Sequence, residues 1–157
     1  MVGLRELLEA EPVEQLPIRK AIQVETGTII RAAVARMRAS DLGCAVIVGF
    51  RGKPVGMFTE RSLLDVLMEN ASLDESPIGE FSDFRCPVVR KSESISRVWD
   101  AIEVQGERFV CVTDDDGRLI GVTGQRGLSE FIAESYPREV VVQRIGGKPW
   151  IAEREGA

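Results

Sequence analysis

The chain has 157 residues, 44% hydrophobic and 29% charged, which is the balance of a folded globular protein. Its net charge of −5 argues against a nucleic-acid partner, because that affinity comes chiefly from Lys and Arg neutralising phosphates. It contains no histidine, the commonest general base and metal ligand, and no apolar run of about 18 residues, so neither catalysis of the usual kind nor a membrane span is expected.

In chain order, residues 1–14 read as a leading amphipathic helix. They carry acids and no secretory apolar core, which makes a cytoplasmic location the expectation. "AIQV" (21–24) is a short strand. "TIIRAAVARMRA" (28–39) places Ile29, Ala33 and Met37 on one helical stripe, with Ile30 and Val34 beside them. "CAVIV" (44–48) suits a strand covered on both faces. "GFRGK" (49–53) is a glycine turn, "PVGMF" (54–58) a second strand, and Leu63, Val66 and Leu67 mark a following helix. "ENASLDESPIGE" (69–80) reads as a linker.

The same order then returns. "PVVR" (87–90) and "SISRVWDAIEVQ" (94–105) lead to "FVCVT" (109–113), "DDDGR" (114–118) and "LIGVT" (119–123). Leu128, Phe131 and Ile132 mark the closing helix. Gly52/Gly117, Gly56/Gly121, Arg61/Arg126 and Leu63/Leu128 are identical pairs 65 apart (121 minus 56 for the second). Matching Arg31 with Arg97 in the first helices implies an offset of 66 there, and so a second copy one residue shorter before its next strand. Each unit reads β-α-β-β-α, and about 50 residues are too few for a good core alone. The fold class expected is α/β (α+β), with two units packed sheet to sheet: a helix at 1–14, repeats at 15–73 and 74–137, and an extension at 138–157. In that extension "EVVVQ" has the look of a strand able to pair with a partner or dimer mate.

"DLGCAVIVGFRGKPVGMFTERSLLDVL" and "GERFVCVTDDDGRLIGVTGQRGLSEFI" resemble a tandem pair of cystathionine-β-synthase (CBS) domains, a Bateman module, over about residues 15–137. The resemblance implies a disc-like pair whose two sheets enclose a cleft with two pseudo-symmetric sites. Such sites often take adenosine-containing ligands such as AMP, ADP, ATP or S-adenosylmethionine, as regulatory ligands and not as required cofactors. It also implies homodimerisation and, with no enzyme fused, regulation of a protein partner in trans. Nucleic acid and membrane are not expected partners.

The ligand-binding candidates are Thr59, Arg61 and Ser62 at the start of one helix, Gly124 and Arg126 at the start of its counterpart, and Ile22 and Val88. The resemblance places these last two beside the base. Thr59 suits an N-cap, and exposed helix-start N–H groups also attract anions. Arg61 and Arg126 stand in first turns, where a cation opposes the helix dipole; each is read as a solvated side chain or as a contact for a phosphate or an acidic partner. Ser62 stands where the family usually has Asp, and Gly124 and Gly127 replace Thr and Asp in the second copy. The first copy is therefore expected to hold the better site. A scaffold that keeps the fold and has lost the ligand is the competing reading. Gly56 and Gly121 imply a close backbone approach, by a ligand or by the facing repeat. Cys44, Cys86 and Cys111 form no C-x-x-C pair; buried structural thiols are expected, a reactive thiol being the alternative.

Overall fold

The computed structural model describes residues 3–135; the strand expected at "EVVVQ" lies outside them. The first repeat contains β1 (Gln23–Val24), α2 (Ile30–Ala39), β2 (Cys44–Val48), β3 (Pro54–Thr59) and α3 (Glu60–Met68), after a leading helix α1 (Leu4–Ala10). The second contains β4 (Val88–Arg90), α4 (Ser96–Trp99), β5 (Phe109–Thr113), β6 (Leu119–Gly124) and α5 (Gln125–Ser135). A π-helical turn, Asp100–Val104, prolongs α4.

Each repeat builds a three-stranded sheet, β1-β2-β3 and β4-β5-β6. In each, the first pair is parallel and the second antiparallel. Val46 faces Met57, and Cys111 faces Val122 at the equivalent position. Both hairpins slip register at the same point, between Ile47 and Val48 and between Val112 and Thr113. The turns are equivalent too: Gly52 (φ 74) and Gly117 (φ 88) supply the left-handed residue.

The buried stripes correct the offset in the first helices. Ile30, Ala33 and Met37 are buried on α2, and Ile95, Val98 and Ile102 on α4 and its extension. Those are 65 apart, as in the strands, turns and closing helices, so no residue is missing between the first helix and the next strand of the second copy. Ile29 is the half-buried N-cap position, and Ile30 holds the core place that the stripe reading gave to its neighbour.

Residues 69–80 do more than connect. The N–H of Ile30 donates to Ser76 O (3.0 Å), that of Arg31 to Leu73 O (3.0 Å) and that of Ile78 to Thr28 O (2.8 Å). In the second repeat Ile95 donates to Glu11 O (2.9 Å) and Val13 to Glu93 O (2.8 Å). The chain ahead of each repeat thus caps the first helix of the other. This explains why α2 starts without a side-chain cap: its first N–H groups, orphaned by helix geometry, bond to backbone carbonyls instead. Leu8, Val13 and Leu16 accordingly join the core of the second repeat, while Ile78 is buried in that of the first. Cys111, Leu119 and Val122 of the second sheet also pack into the first core, so the two units share their interior.

Candidate functional site

The approach to the sheets is also crossed over. Arg19 pairs with Val122 of β6 through two backbone hydrogen bonds of 2.9 Å, and Asp83 pairs in the same way with Met57 of β3. Gly121 and Gly56 stand beside these crossing segments. A Cβ on Gly121 would lie 2.4 Å from Ile18 Cγ2 and 2.5 Å from Arg19 O; one on Gly56 would lie 3.0 Å from the Phe84 ring. The facing repeat, not an outside molecule, is what these glycines admit.

Each crossing segment walls a cleft at the start of the other repeat's last helix. The cleft at α5 has a volume of about 600 Å³ and is lined by Pro17, Arg19, Asp41, Arg108, Gly124–Gly127 and Glu130, among others. The cleft at α3, about 450 Å³, is lined by Thr59, Arg61, Ser62, Asp65, Ser82, Asp83, Cys86, Glu107 and Arg108, among others. The sequence candidates therefore fall into two places: Thr59, Arg61 and Ser62 in the smaller cleft, Gly124 and Arg126 in the larger. Ile22 is buried in the first core and lines a separate depression with Arg36, and Val88 lines neither cleft. The residues that wall the clefts from the strand side are Pro17 and Arg19, Ser82 and Asp83. These lie upstream of β1 and β4, in the segments that cross to the opposite sheet.

Thr59 is the N-cap of α3. Its Oγ1 accepts from the Ser62 N–H (3.3 Å), and Ser62 Oγ accepts from the Thr59 N–H (3.0 Å). These two side chains occupy each other, and Ser62 is buried. In the second copy the cap is absent for a steric reason. A Cβ on Gly124 would lie 2.4 Å from Arg108 O; one on Gly127 would lie 2.7 Å from Thr123 Oγ1 and 2.9 Å from Pro17 O. Thr123 Oγ1 donates to Pro17 O (3.1 Å), filling the place beside Gly127.

The charges of the two clefts differ in sign. The larger has Arg19, Arg108 and Arg126 against Asp41 and Glu130. The smaller has Arg61 and Arg108 against Asp65, Asp83 and Glu107. The exchange turns on one pair of equivalent positions, Arg19 and Asp83. Arg126 pairs with Glu130 (3.3 Å) and Arg108 with Glu60 (3.6 Å). The Arg19 guanidinium is held by Asp41 O (2.9 Å) and Ser40 O (2.8 Å), and no carboxylate lies within 4.0 Å of it among the described residues. In the smaller cleft, burial first and Asp83 second hold the Glu107 carboxyl above its usual range. Arg19, Arg108 and the crossing segments could not be found from sequence, since 16–19 and 81–84 share no residue pattern.

Among the described residues no cluster of His, Cys, Asp or Glu is arranged to hold a metal ion, and no helix is long and apolar enough to cross a membrane.

Comparison with known proteins agrees with this architecture. Residues 13–69 match the CBS domain family. An uncharacterised 17.7 kDa protein of Acidianus ambivalens is 23% identical over 127 residues, 81% of this chain and 76% of that one. A CBS domain protein from Pyrobaculum aerophilum, PAE2072, solved in complex with AMP, superposes with a TM-score of 0.69 at 21% identity, covering 75% of this chain and 90% of that one. The CBS domain pair of protein MJ0100, solved with 5′-methylthioadenosine and S-adenosyl-L-methionine, superposes with a TM-score of 0.70 at 19% identity, covering 80% and 98%. The first repeat thus matches the CBS domain family over residues 13–69, and the described chain has the fold of a CBS domain pair.

Proposed function

We propose that this CBS pair is a regulatory module that binds an adenosine-type ligand carrying an anionic group in the cleft at the start of α5. The observation that carries this reading is the charge asymmetry, with Arg19 held by two backbone carbonyls where the other cleft has Asp83. An anion beside Arg19 would meet a cation not neutralised by a nearby carboxylate and the first-turn N–H groups of α5, which carry no side-chain cap. In the smaller cleft it would meet three carboxylates. The site is therefore assigned to the copy whose Thr and Asp are missing, contrary to the expectation from side chains alone. The adenosine class is supported by the solved relatives, which hold AMP, 5′-methylthioadenosine and S-adenosylmethionine. Cytoplasmic action on a protein partner belongs to the same proposal.

Thermal unfolding against AMP, ADP, ATP, 5′-methylthioadenosine and S-adenosylmethionine tests it. A ligand at a hundred times its Kd adds about 2.7 kcal/mol of stability. Arg19→Met should weaken binding tenfold or more, since a charge-assisted hydrogen bond is worth about 1.5–3 kcal/mol; Arg61→Ala should leave it unchanged. No shift with any of these ligands at millimolar concentration overturns the reading, and an equal loss in Arg61→Ala moves the site to the other cleft.

One observation favours a second reading, a protein-contact module. Leu64, Leu67 and Met68 share a face of α3 at i, i+3, i+4 spacing and are 56%, 52% and 82% exposed. A homodimer through that face would be broken by Leu67→Glu, read by sedimentation velocity. A monomeric wild-type chain would rule out the homodimer.

A further inference from the structure

Two of the three cysteines meet. Cys111, on β5, is fully buried, and its N–H donates to the carbonyl of Pro87 (3.0 Å), the residue after Cys86. Cys86 packs against the buried cluster that contains Cys111, two residues before Val88, the β4 residue that faces Cys111. Cys86 is only partly buried and lines the smaller cleft beside Thr59, Ser62 and Asp83. The repeat makes this pairing informative. At the offset of 65, Cys86 takes the position of Ala21 and Cys111 that of Val46. The first repeat fills both with apolar side chains, and Val46 N–H likewise bonds to Ile22 O. Both members of one contact are therefore thiols in one copy and neither is in the other. A buried core position needs no sulfur, as Ala21 and Val46 demonstrate.

We propose that Cys86 and Cys111 are a reversible dithiol–disulfide pair, with Cys86 oxidised by a peroxide reaching it through the smaller cleft and Cys111 closing the bond. The Cys86 thiolate attacks one peroxide oxygen, forming an S–O bond and breaking the O–O bond; hydroxide leaves, and Cys86 becomes a sulfenic acid. The Cys111 sulfur then attacks the Cys86 sulfur, the S–O bond breaks, and the hydroxyl leaves as water with the Cys111 proton. Two thiols are oxidised by two electrons and one peroxide is reduced to two waters. A dithiol reductant reverses the bond by exchange. The three thiols differ in fitness for the first step. The neighbouring Cys111 thiol lowers the Cys86 thiol below its ordinary value against the opposing effect of burial, whereas burial pushes Cys44 up to about 12. Cys44 is fully buried and stays reduced.

The test treats the full chain with hydrogen peroxide and reads intact mass and the count of free thiols after denaturation. The expected result is loss of two of the three thiols, a mass lower by two hydrogens, a peptide linking 86 to 111, and full reversal by dithiothreitol. Cys111→Val and Cys86→Ala carry the residues that the first repeat uses, so folding is retained. Cys111→Val should accumulate a dimedone-reactive sulfenic acid at Cys86, and Cys86→Ala should keep its two thiols. Three free thiols under peroxide, a bond involving Cys44, or a bond between chains would each overturn the proposal.

Discussion

The crossing of each leading segment onto the opposite sheet rests on two glycines that are not equally constrained, and Gly121→Ala probes the tighter one. The added methyl carbon would sit 2.4 Å from Ile18 Cγ2 and 2.5 Å from the backbone oxygen of Arg19. The Arg19 oxygen cannot yield without the chain moving, because Arg19 is tied to Val122 by two backbone hydrogen bonds. Overpacking of this kind costs about 1–3 kcal/mol. Stretching or losing the two bonds adds about 0.5–1.5 kcal/mol each. Replacing a strand glycine by alanine returns about 0.5–1 kcal/mol of chain entropy. The net expectation is a loss of about 3 kcal/mol from the middle of these ranges, a large part of the ~5–15 kcal/mol that holds a typical domain. Gly56→Ala is the control. Its Cβ meets the Phe84 ring at 3.0 Å and Asp83 O at 3.3 Å; the ring is half-exposed and can swing aside, and the oxygen has far less to give than Arg19 O, so the change should stay within about 1 kcal/mol. Urea unfolding followed by circular dichroism measures both. A Gly121→Ala variant within 1 kcal/mol of wild type, or a Gly56→Ala variant equally destabilised, would show that the crossing segments are not what requires glycine.

Thr59→Val should cost about 1 kcal/mol in the same assay by removing the N-cap of α3. Adding Ser62→Ala should cost less than the two single losses together, because each side chain bonds to the other's backbone. Glu107 gives a pH signature. Its folded-state carboxyl titrates above the ordinary 4.5, so the folded chain holds this proton more tightly, and stability falls as pH rises through and beyond 4.5. Glu107→Gln should therefore be more stable than wild type at neutral pH and nearly equal to it well below 4.5. A difference that is the same at both ends would exclude the burial and Asp83 effects as its cause.

Much of the fold was legible because periodicity and repetition report local geometry. The strands at 44–48 and 109–113, the glycine turns and the helix starts at Thr59 and Gly124 stand where the pattern places them. Repetition marks the equivalent positions, and the identical Arg31 and Arg97 mislead by one residue, at Ile29 and Ile30, because the buried stripe and not the exposed arginine sets the helix register. Thr59 as an N-cap followed from residue type and position alone.

The binding side of the molecule was legible only in part. Residue types named both helix starts and ranked the copy with Thr59 and Ser62 first, by the side-chain anchors it keeps; the proposal for the other cleft rests instead on wall charges that only the tertiary structure brings together. Cleft walls come from segments that precede β1 and β4 and cross to the other repeat, a contact between residues about a hundred positions apart such as Arg19 and Val122. No local pattern encodes such a contact, because its partners share neither a helix face nor a strand register. The same holds for Gly124 and Gly127, whose missing side chains look like lost anchors in sequence and are steric necessities in space, and for Cys86 and Cys111, which meet only when β4 lies beside β5. Sequence by itself determined the repeated unit, since backbone propensity and hydrophobic period are local. Tertiary structure decided which groups share a cleft, since that depends on how two copies exchange their leading segments.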